Sequence, residues 1–286
     1  MEKRLSTVDQ LDPDSIEARR ILVVGPTDGG KTTLIKRLYN HWCTREKVLV
    51  LDSDVGQSDV GPPGSLGLGT GSAPVEDLAQ LRGIALHFAG VLSPSEDLAQ
   101  FTWGVERLFR LALSMKPDRL LVDTTGWIWG EAISLKMAKC NLINPDLIVA
   151  IIREETPLIR VLKHSTFPLL VLEPSPKARA RDTETRRRFR LQRVKDHFYQ
   201  GRKITLDLQS TLIMGRLQDL EDLKDRVVGL LDGAFRTLGT AWIKRVTTGK
   251  PSAEAWVRRV SRGEVCYIRV GPLMETDDTR RERTVE

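Results

Sequence analysis

The sequence predicts an α/β fold of three layers, in which helices cover both faces of a mostly parallel sheet. Two features indicate this class: short apolar runs that do not alternate with polar residues, and longer amphipathic segments between those runs. Unbroken apolar runs suit strands that are buried on both faces, as in a parallel sheet. The regular alternation of strand and helix then favours a doubly wound arrangement.

Six apolar runs are the predicted strands, at residues 21–24, 47–52, 83–88, 119–123, 146–152 and 168–172. Between the third and fourth runs, residues 96–116 place apolar side chains three and four positions apart, which indicates an amphipathic helix. Residues 177–203 form a basic stretch of helical character. We therefore expect a main domain over 21–203 that ends in this basic segment.

The two ends of the chain differ from this pattern. Residues 1–20 are polar and are interpreted as an N-terminal lead-in. After residue 203 the apolar runs change in character, and we interpret 204–275 as a small C-terminal α+β region with a helix near 219–235. Residues 276–286 are rich in charge and are expected to be a disordered tail.

Composition narrows the class of protein. The 286 residues carry 44 Lys and Arg against 38 Asp and Glu, and 41% are hydrophobic, which supports a buried core. No run of about 18 uncharged apolar residues exists, so no membrane-spanning helix is predicted. The N-terminus lacks an apolar signal core, and three widely separated cysteines argue against a disulfide framework or a zinc site. The chain is therefore expected to be cytoplasmic.

A phosphate-binding motif follows the first predicted strand. Gly25, Gly30, Lys31 and Thr32 match the pattern G-x-x-x-x-G-K-[ST], and a helix-like segment comes next. Such a loop points backbone N–H groups at a triphosphate, the lysine reaches the β- and γ-phosphates, and the Thr hydroxyl binds Mg²⁺. A ligand-free Gly-rich turn is the alternative interpretation. The motif predicts a P-loop NTPase fold and the nucleotide-binding residues Gly25, Thr27, Asp28, Gly29, Gly30, Lys31, Thr32 and Thr33.

Acidic residues end two other predicted strands. Asp52 and Asp54 follow the second run, and Asp123 ends the fourth. Because the carboxyl ends of strands line the ligand crevice of an open α/β sheet, these acids should face the nucleotide. Each could hold Mg²⁺ through water, accept the proton of an attacking hydroxyl, or only cap a turn. Gln57 could orient the nucleophile or only stabilise its loop.

Taken together, these motifs resemble the polynucleotide 5′-hydroxyl kinase family. The resemblance covers about residues 25–205, and it depends on GPTDGGKTTL, LDSDVGQSDVGPPGSLGL, VDTTGWIWG and the later HFYQG. It implies that Asp54 activates the 5′-hydroxyl of the substrate. It also implies a substrate-gripping segment, the clasp, formed by Thr124, Thr125, Gly126 and Trp127, in which the tryptophan stacks on a base. Trp129 is expected to be a core residue rather than a stacking residue.

The resemblance further implies a lid that carries Arg181, Arg186 and Arg190 as catalytic residues. Physically, residues 177–203 hold 11 Lys and Arg against 3 acids, a net charge of +8, while the rest of the chain is at −2. Arg186 and Arg190 are four apart and share a helix face, which could close on the γ-phosphate. The alternative is a charged face that only contacts solvent.

Two departures from the family pattern affect this interpretation. Asp123 stands where the family often has Asn, so it is a candidate metal ligand beside Thr32 and Asp52. Larger relatives have a separate domain before the phosphate loop, whereas this loop starts at residue 25. Contacts to the nucleotide base would then have to come from elsewhere in the chain.

The sequence thus predicts a kinase that transfers the γ-phosphate of ATP, with Mg²⁺, to the 5′-hydroxyl end of single-stranded RNA or DNA, in RNA processing or nucleic acid repair. Two alternatives stay open: an ATP-bound scaffold of RNA processing with little turnover, and a P-loop NTPase or small-molecule kinase. No N-K-x-D element is present, which argues against a guanine-specific protein.

Overall fold

A computed structural model describes residues 7–199 and 201–274. Two β-sheets account for the strands of this part of the chain, one of seven strands and one of six. The predicted disordered tail at 276–286 lies outside the described residues. Within them, no helix is long and apolar enough to cross a bilayer. The predicted compartment of the protein stays a prediction.

The seven-stranded sheet contains the predicted apolar runs. Its strands are β1 (Arg20–Val24), β2 (Val48–Ser53), β3 (Ser65–Thr70), β4 (Arg82–Phe88), β5 (Arg119–Thr124), β6 (Leu147–Ile151) and β7 (Leu169–Leu172). They lie in the order β4-β3-β2-β5-β1-β6-β7. The pairs β2–β5, β5–β1, β1–β6 and β6–β7 are parallel. The predicted class, an α/β fold with a mostly parallel sheet, is confirmed.

The strand β3 was absent from the sequence-based prediction. It pairs antiparallel with β2, and all six of its residues are buried. Its sequence SLGLGT alternates leucine with glycine, serine and threonine, so it lacks the apolar run that marks the other buried strands. The small residues reduce the hydrophobic signal although their backbone is fully enclosed.

Five α-helices accompany the strands in the described residues. They are α1 (Lys31–Trp42), α2 (Leu98–Ser114), α3 (Glu131–Ile143), α4 (Pro157–Lys163) and α5 (Thr183–Tyr199). The amphipathic pattern over 96–116 correctly predicts α2, and the basic stretch contains α5. Helix α1 begins directly after the phosphate loop and buries Leu34, Ile35 and Leu38.

The second sheet is built from β8 (Arg202–Asp207), β9 (Leu212–Met214), β10 (Arg226–Leu231), β11 (Thr237–Thr247), β12 (Ser252–Val260) and β13 (Tyr267–Leu273), in the order β8-β12-β11-β10-β13-β9. The helix predicted near 219–235 is wrong. Only Glu221–Leu223 form a short 3₁₀ turn, and β10 follows. A short apolar run looks the same in a buried strand and in a buried helix segment, which explains the error.

The chain divides into two compact units. The first contains Met1–Asp54, Gly67–Ala85 and Thr102–Arg181, and the second contains Val55–Leu66, Leu86–Phe101 and Asp182–Glu286. Each unit therefore combines segments that are distant in sequence. The predicted domain boundaries at 20, 203 and 275 were drawn along the chain, and they stay predictions.

The core of the second unit contains Phe88, which packs with Val194, Phe198 and Val227. The ring lies against glycine backbone of β10 and β13. A Cβ on Gly271 would lie 2.4 Å from the Phe88 ring, and one on Gly229 would lie 2.6 Å from it. These positions need glycine because any side chain would displace this ring.

Candidate active site

The phosphate loop joins β1 to α1 in the first unit, and its shape depends on two glycines. Gly25 has φ +152°, and a Cβ there would lie 2.4 Å from the Ile151 carbonyl oxygen, so the loop touches the end of β6. Gly30 has φ +94° and is the residue before the first turn of α1. Both conformations favour glycine, which explains the spacing of the motif.

Lys31 and Thr32 begin α1 at the expected place. The Lys31 side chain is buried, and its Nζ donates to the Pro26 carbonyl oxygen at 2.9 Å, so it folds back across the loop. Thr32 Oγ1 donates to Asp123 Oδ2 at 2.6 Å. This bond joins the start of α1 to the end of β5. It brings together two of the three predicted metal ligands.

The residues at this point fit a magnesium ion. Oxygen ligands from a hydroxyl and a carboxylate suit Mg²⁺, which also keeps several waters. Burial raises the pKa of Asp123, while the Lys31 charge and the Thr32 hydrogen bond act in the opposite direction. A divalent cation here would favour the ionised carboxylate.

Asp52 and Asp54 lie at the end of β2, next to β5. In the paired strands, Asp52 is opposite Asp123 and Ser53 is opposite Thr124. Asp52 is buried, and its Oδ1 accepts the backbone N–H of Asp54 at 3.0 Å. This contact supports the turn-stabilising interpretation of Asp52, whose metal role stays a prediction. The same turn sets the position of Asp54.

The predicted clasp follows β5 and touches the phosphate loop. A Cβ on Gly126 would lie 2.1 Å from Thr27 Oγ1 and 2.3 Å from the Thr27 nitrogen. Only glycine permits this approach of the two backbones. Thr124 is fully buried, and its hydroxyl donates to the Val23 carbonyl oxygen at 2.8 Å. Thr125 is also buried, so substrate contacts by these two side chains stay predictions of the family resemblance.

Trp127 of the clasp and the nearby Trp129 both differ from core residues. Trp127 is partly buried, and Trp129 is 55% exposed. The interpretation of Trp129 as a core residue is therefore wrong. Its ring lines a cleft of about 340 Å³ in the first unit. The cleft is formed by the phosphate loop and by the segments after β5, β6 and β7: Pro26, Thr27, Asp28, Gly29, Ile128, Trp129, Ile152, Arg153, Glu154, Thr156, Pro174, Ala178 and Ala180.

The three predicted lid arginines are divided between the two units. Arg181 ends the first unit, and its backbone N–H donates to Asp28 Oδ2 at 2.9 Å, so it contacts the phosphate loop. Arg186 and Arg190 lie one turn apart on α5 in the second unit. Burial and the neighbouring arginines lower the pKa of Arg190. Gln57 also belongs to the second unit, and the roles of these side chains stay predictions.

Two buried lysines of α3 escaped the sequence analysis. Lys136 and Lys139 are 3% and 5% exposed, and their hydrogen bonds end on residues adjacent to Asp54 and Asp123. A signal was present, because both lysines share a helix face with the buried residues Ala132, Cys140 and Ile143. Two lysines three positions apart on an otherwise apolar helix face are a pattern that the sequence itself shows.

A parallel sheet with a phosphate loop between β1 and α1, and with acids at the neighbouring strand ends, defines a P-loop nucleotide-binding protein. The family described as "mRNA cleavage and polyadenylation factor CLP1 P-loop" matches residues 25–200. The chain therefore belongs to this family, and the predicted relationship is confirmed.

Two named relatives of the chain come from archaea. A "Polyribonucleotide 5'-hydroxyl-kinase" of Pyrococcus furiosus is 30% identical over 221 residues, which are 76% of this chain and 61% of the relative. One of Pyrococcus horikoshii is 34% identical over 198 residues, which are 68% of this chain and 54% of the relative. The chain thus spans less than two thirds of the length of these two relatives.

A solved structure supports the fold. The "Structure of wild-type Clp1p-Pcf11p (454 -563) complex" matches with a TM-score of 0.72 at 14% identity, covering 88% of this chain and 74% of that one. At this identity the likeness concerns the fold alone.

Proposed function

We propose that the chain is an ATP-dependent polynucleotide 5′-hydroxyl kinase. The observation that carries the proposal is the convergence of Lys31, Thr32, Asp123 and Asp54 at the ends of β1, β2 and β5. The names of the archaeal relatives support it, since each describes a kinase that acts on a 5′-hydroxyl. The family match extends over the phosphate loop, both acidic strand ends and α5.

Each part of the first unit has a function in this proposal. The loop N–H groups and Lys31 bind the triphosphate, and Lys31 exchanges its Pro26 carbonyl for phosphate oxygens. Thr32 and Asp123 would hold Mg²⁺, which neutralises charge on the β- and γ-phosphates when bound. The cleft beside the phosphate loop would take the base end of the donor.

The transfer step needs a base and a positioned nucleophile. The 5′-oxygen bonds to the γ-phosphorus as the bond from that phosphorus to the β–γ bridging oxygen breaks, and ADP leaves with the electron pair. Asp54 accepts the proton of the 5′-hydroxyl. Arg181, Arg186 and Arg190 stabilise the charge on the transferring group, Trp127 stacks on the terminal base, and Gln57 orients the nucleophile.

A transfer assay tests the proposal. The protein is incubated with γ-labelled ATP, Mg²⁺ and a 5′-hydroxyl oligonucleotide of RNA or of DNA. We expect labelled oligonucleotide from the wild type. Asp54→Asn should keep ATP binding and lose about 10²–10⁴-fold in transfer, the usual contribution of a general base. The surface acid Asp14 supplies a matched control, because it contacts His41 away from the loop, and Asp14→Asn should transfer normally.

Two results would contradict the proposed kinase activity, and a third would contradict only the role of Asp54. Wild-type hydrolysis of ATP without labelled oligonucleotide would favour an NTPase or a small-molecule kinase. ATP binding with neither hydrolysis nor transfer would favour a scaffold. Normal transfer by Asp54→Asn would remove the assignment of the base while leaving the kinase activity in place.

A further inference from the structure

The helix α3 carries two lysines that the proposed mechanism does not use. Lys136 and Lys139 are three residues apart, so they lie on one face of the helix. Both are buried within the first unit, at 3% and 5% exposure. Lysine is rarely buried to this extent unless it is paired, so the partners of these side chains need an explanation.

Lys139 reaches the end of β2. Its Nζ donates to Ser53 Oγ at 2.7 Å, and Ser53 Oγ in turn donates to the Asp123 carbonyl oxygen. Ser53 immediately precedes Asp54. One chain of hydrogen bonds therefore runs from α3 through the residue next to the proposed base to the residue that contacts Thr32.

Lys136 reaches the end of β5. Its Nζ donates to the Thr125 carbonyl oxygen at 2.8 Å and to Thr124 Oγ1 at 3.2 Å. Thr124 Oγ1 donates to the carbonyl oxygen of Val23, near the end of β1. The two lysines together thus connect the carboxyl ends of three adjacent strands, and those strands lead into the phosphate loop, the proposed base and the clasp.

The neighbouring carboxylates offset the burial of the two lysines only in part. Burial lowers the pKa of Lys139 to about 8, while Asp54, Asp123 and Asp52 act to raise it. Burial, Lys139 and Lys31 hold the pKa of Lys136 well below its usual range. Replacing a whole set of buried ionic partners by apolar residues of similar volume is often neutral or stabilising, whereas removal of one partner alone is destabilising. Stability of the fold is therefore a poor reason for two lysines at these positions.

We propose that Lys136 and Lys139 are positioning residues of the transfer reaction, which hold the ends of β1, β2 and β5 in register beneath Asp54 and Asp123. Neither lysine touches substrate; each acts through the backbone and hydroxyl groups of Ser53, Thr124 and Thr125. This inference rests on the proposed function, because it assigns the two residues to the alignment of that same site.

The test compares Lys136→Met and Lys139→Met with the wild type, since methionine fills similar space without charge or N–H donors. We expect kcat for transfer to fall about 10- to 100-fold, as when outer contacts of a catalytic site are removed. The KM values for ATP and oligonucleotide should stay unchanged, because no substrate contact is lost. The loss of kcat should exceed the unfolded fraction that urea unfolding gives for each variant, which a merely structural role would not produce.

Two further variants refine the test. Lys139→Gln keeps a donor for Ser53 and should retain more kcat than Lys139→Met. Ile143→Val removes a methyl group from the same buried face of α3, and it should lower stability while leaving kcat unchanged. It is the matched control for a simple packing defect.

The proposal is overturned if both methionine variants transfer at the wild-type rate. It is also overturned if kcat of the methionine variants falls only in proportion to their unfolded fraction. Ile143→Val would then show the same relation between lost kcat and unfolded protein. Failure of the proposed function looks different, because the wild type would then give no labelled oligonucleotide. In that event the rate of ATP hydrolysis by the two methionine variants is measured instead. Hydrolysis at the wild-type rate by both variants overturns the positioning role.

Discussion

The two compact units hold their polar side chains in different ways. In the first unit, Thr32, Asp123, Ser53 and Lys139 are linked by hydrogen bonds at the ends of buried parallel strands. In the second unit, α5 presents arginines on a helix with little apolar surface. Its N-terminal half has no buried residue, and only Val194 and Phe198 are buried further along. The comparison separates a hydrogen-bonded cluster at buried strand ends from a helix that carries mostly charged side chains.

Helix α5 is attached to the second unit through the side chains of its C-terminal half. Val194 and Phe198 pack into the cluster that contains Phe88 and Trp242. Arg193 forms an ion pair with Asp59 in the segment 55–66, and both side chains are mostly buried. The helix is therefore fixed to its own unit through its C-terminal half, while its N-terminal half keeps its charge half-exposed.

The largest expected effect tests whether the second unit contributes to the chemistry. Arg186→Gln and Arg190→Gln should each lower kcat for transfer by about 10³-fold or more, the usual effect of losing an arginine that stabilises a transferring phosphoryl group. Oligonucleotide binding by these variants should also depend less on salt. Steady-state kinetics at several salt concentrations measures both effects.

The control for this prediction is Arg188 on the same helix. It is 80% exposed and pairs with Glu184, so Arg188→Gln should leave kcat within the range of the wild type. Equal losses in all three variants would show that α5 acts only through its net charge. The inference that individual arginines of the second unit contribute to the chemistry would then be wrong.

The next effect concerns the stability of the second unit. Arg193→Met leaves the Asp59 carboxylate buried without this partner, which should lower the free energy of unfolding by about 3–5 kcal/mol. Arg193→Met combined with Asp59→Leu should recover most of the loss, because both charges of this pair are then removed. Urea unfolding measures both. The exposed pair Arg110–Glu106 is the control, and Arg110→Met should cost less than about 1 kcal/mol.

The third effect returns to the first unit. Thr32→Val keeps the shape of the side chain but removes the hydroxyl that contacts Asp123. We expect the Mg²⁺ concentration for half-maximal transfer to rise about 10- to 100-fold, with ATP binding in the absence of metal unchanged. Thr102→Val is a matched control because Thr102 is an exposed threonine on α2, away from the phosphate loop. An unchanged Mg²⁺ requirement in Thr32→Val would move the metal to Asp52.

The extent to which sequence predicts this molecule also differs between the units. The strands β1, β2, β5, β6 and β7 were predicted because each is a continuous apolar run. The phosphate loop was predicted because its glycine spacing follows from backbone conformation. The second unit was harder, because its strands form a sheet from distant segments, and β10 resembled a helix.

Long-range contacts explain the rest of what sequence missed. Lys136 and Lys139 contact the strand ends only through the packing of α3 in the folded protein. The spacing of the two lysines in the sequence does not show which groups they contact. Likewise, the ion pair of Arg193 with Asp59 joins residues 134 positions apart. Sequence therefore identifies the motifs that contact phosphate, whereas the groups that align them require the fold.

The last expected effect is absent at neutral pH and is a dependence of stability on acidic pH that arises in the second unit. Burial, with a smaller contribution from the Arg258 charge, lowers the pKa of His197 from 6.5 to about 3. Below pH 6.5 the unfolded chain binds a proton that the folded chain does not, so stability falls as pH decreases towards 3. This residue should contribute a slope of about 1.4 kcal/mol per pH unit in that window. His197→Gln should reduce the slope of the unfolding free energy against pH, while His164→Gln, at an exposed position after α4, should not. Equal slopes in the His197→Gln variant and the wild type would show that solvent reaches the imidazole in the folded protein. Helix α5 would then be packed less tightly at this point than the hydrogen-bonded groups at the strand ends of the first unit.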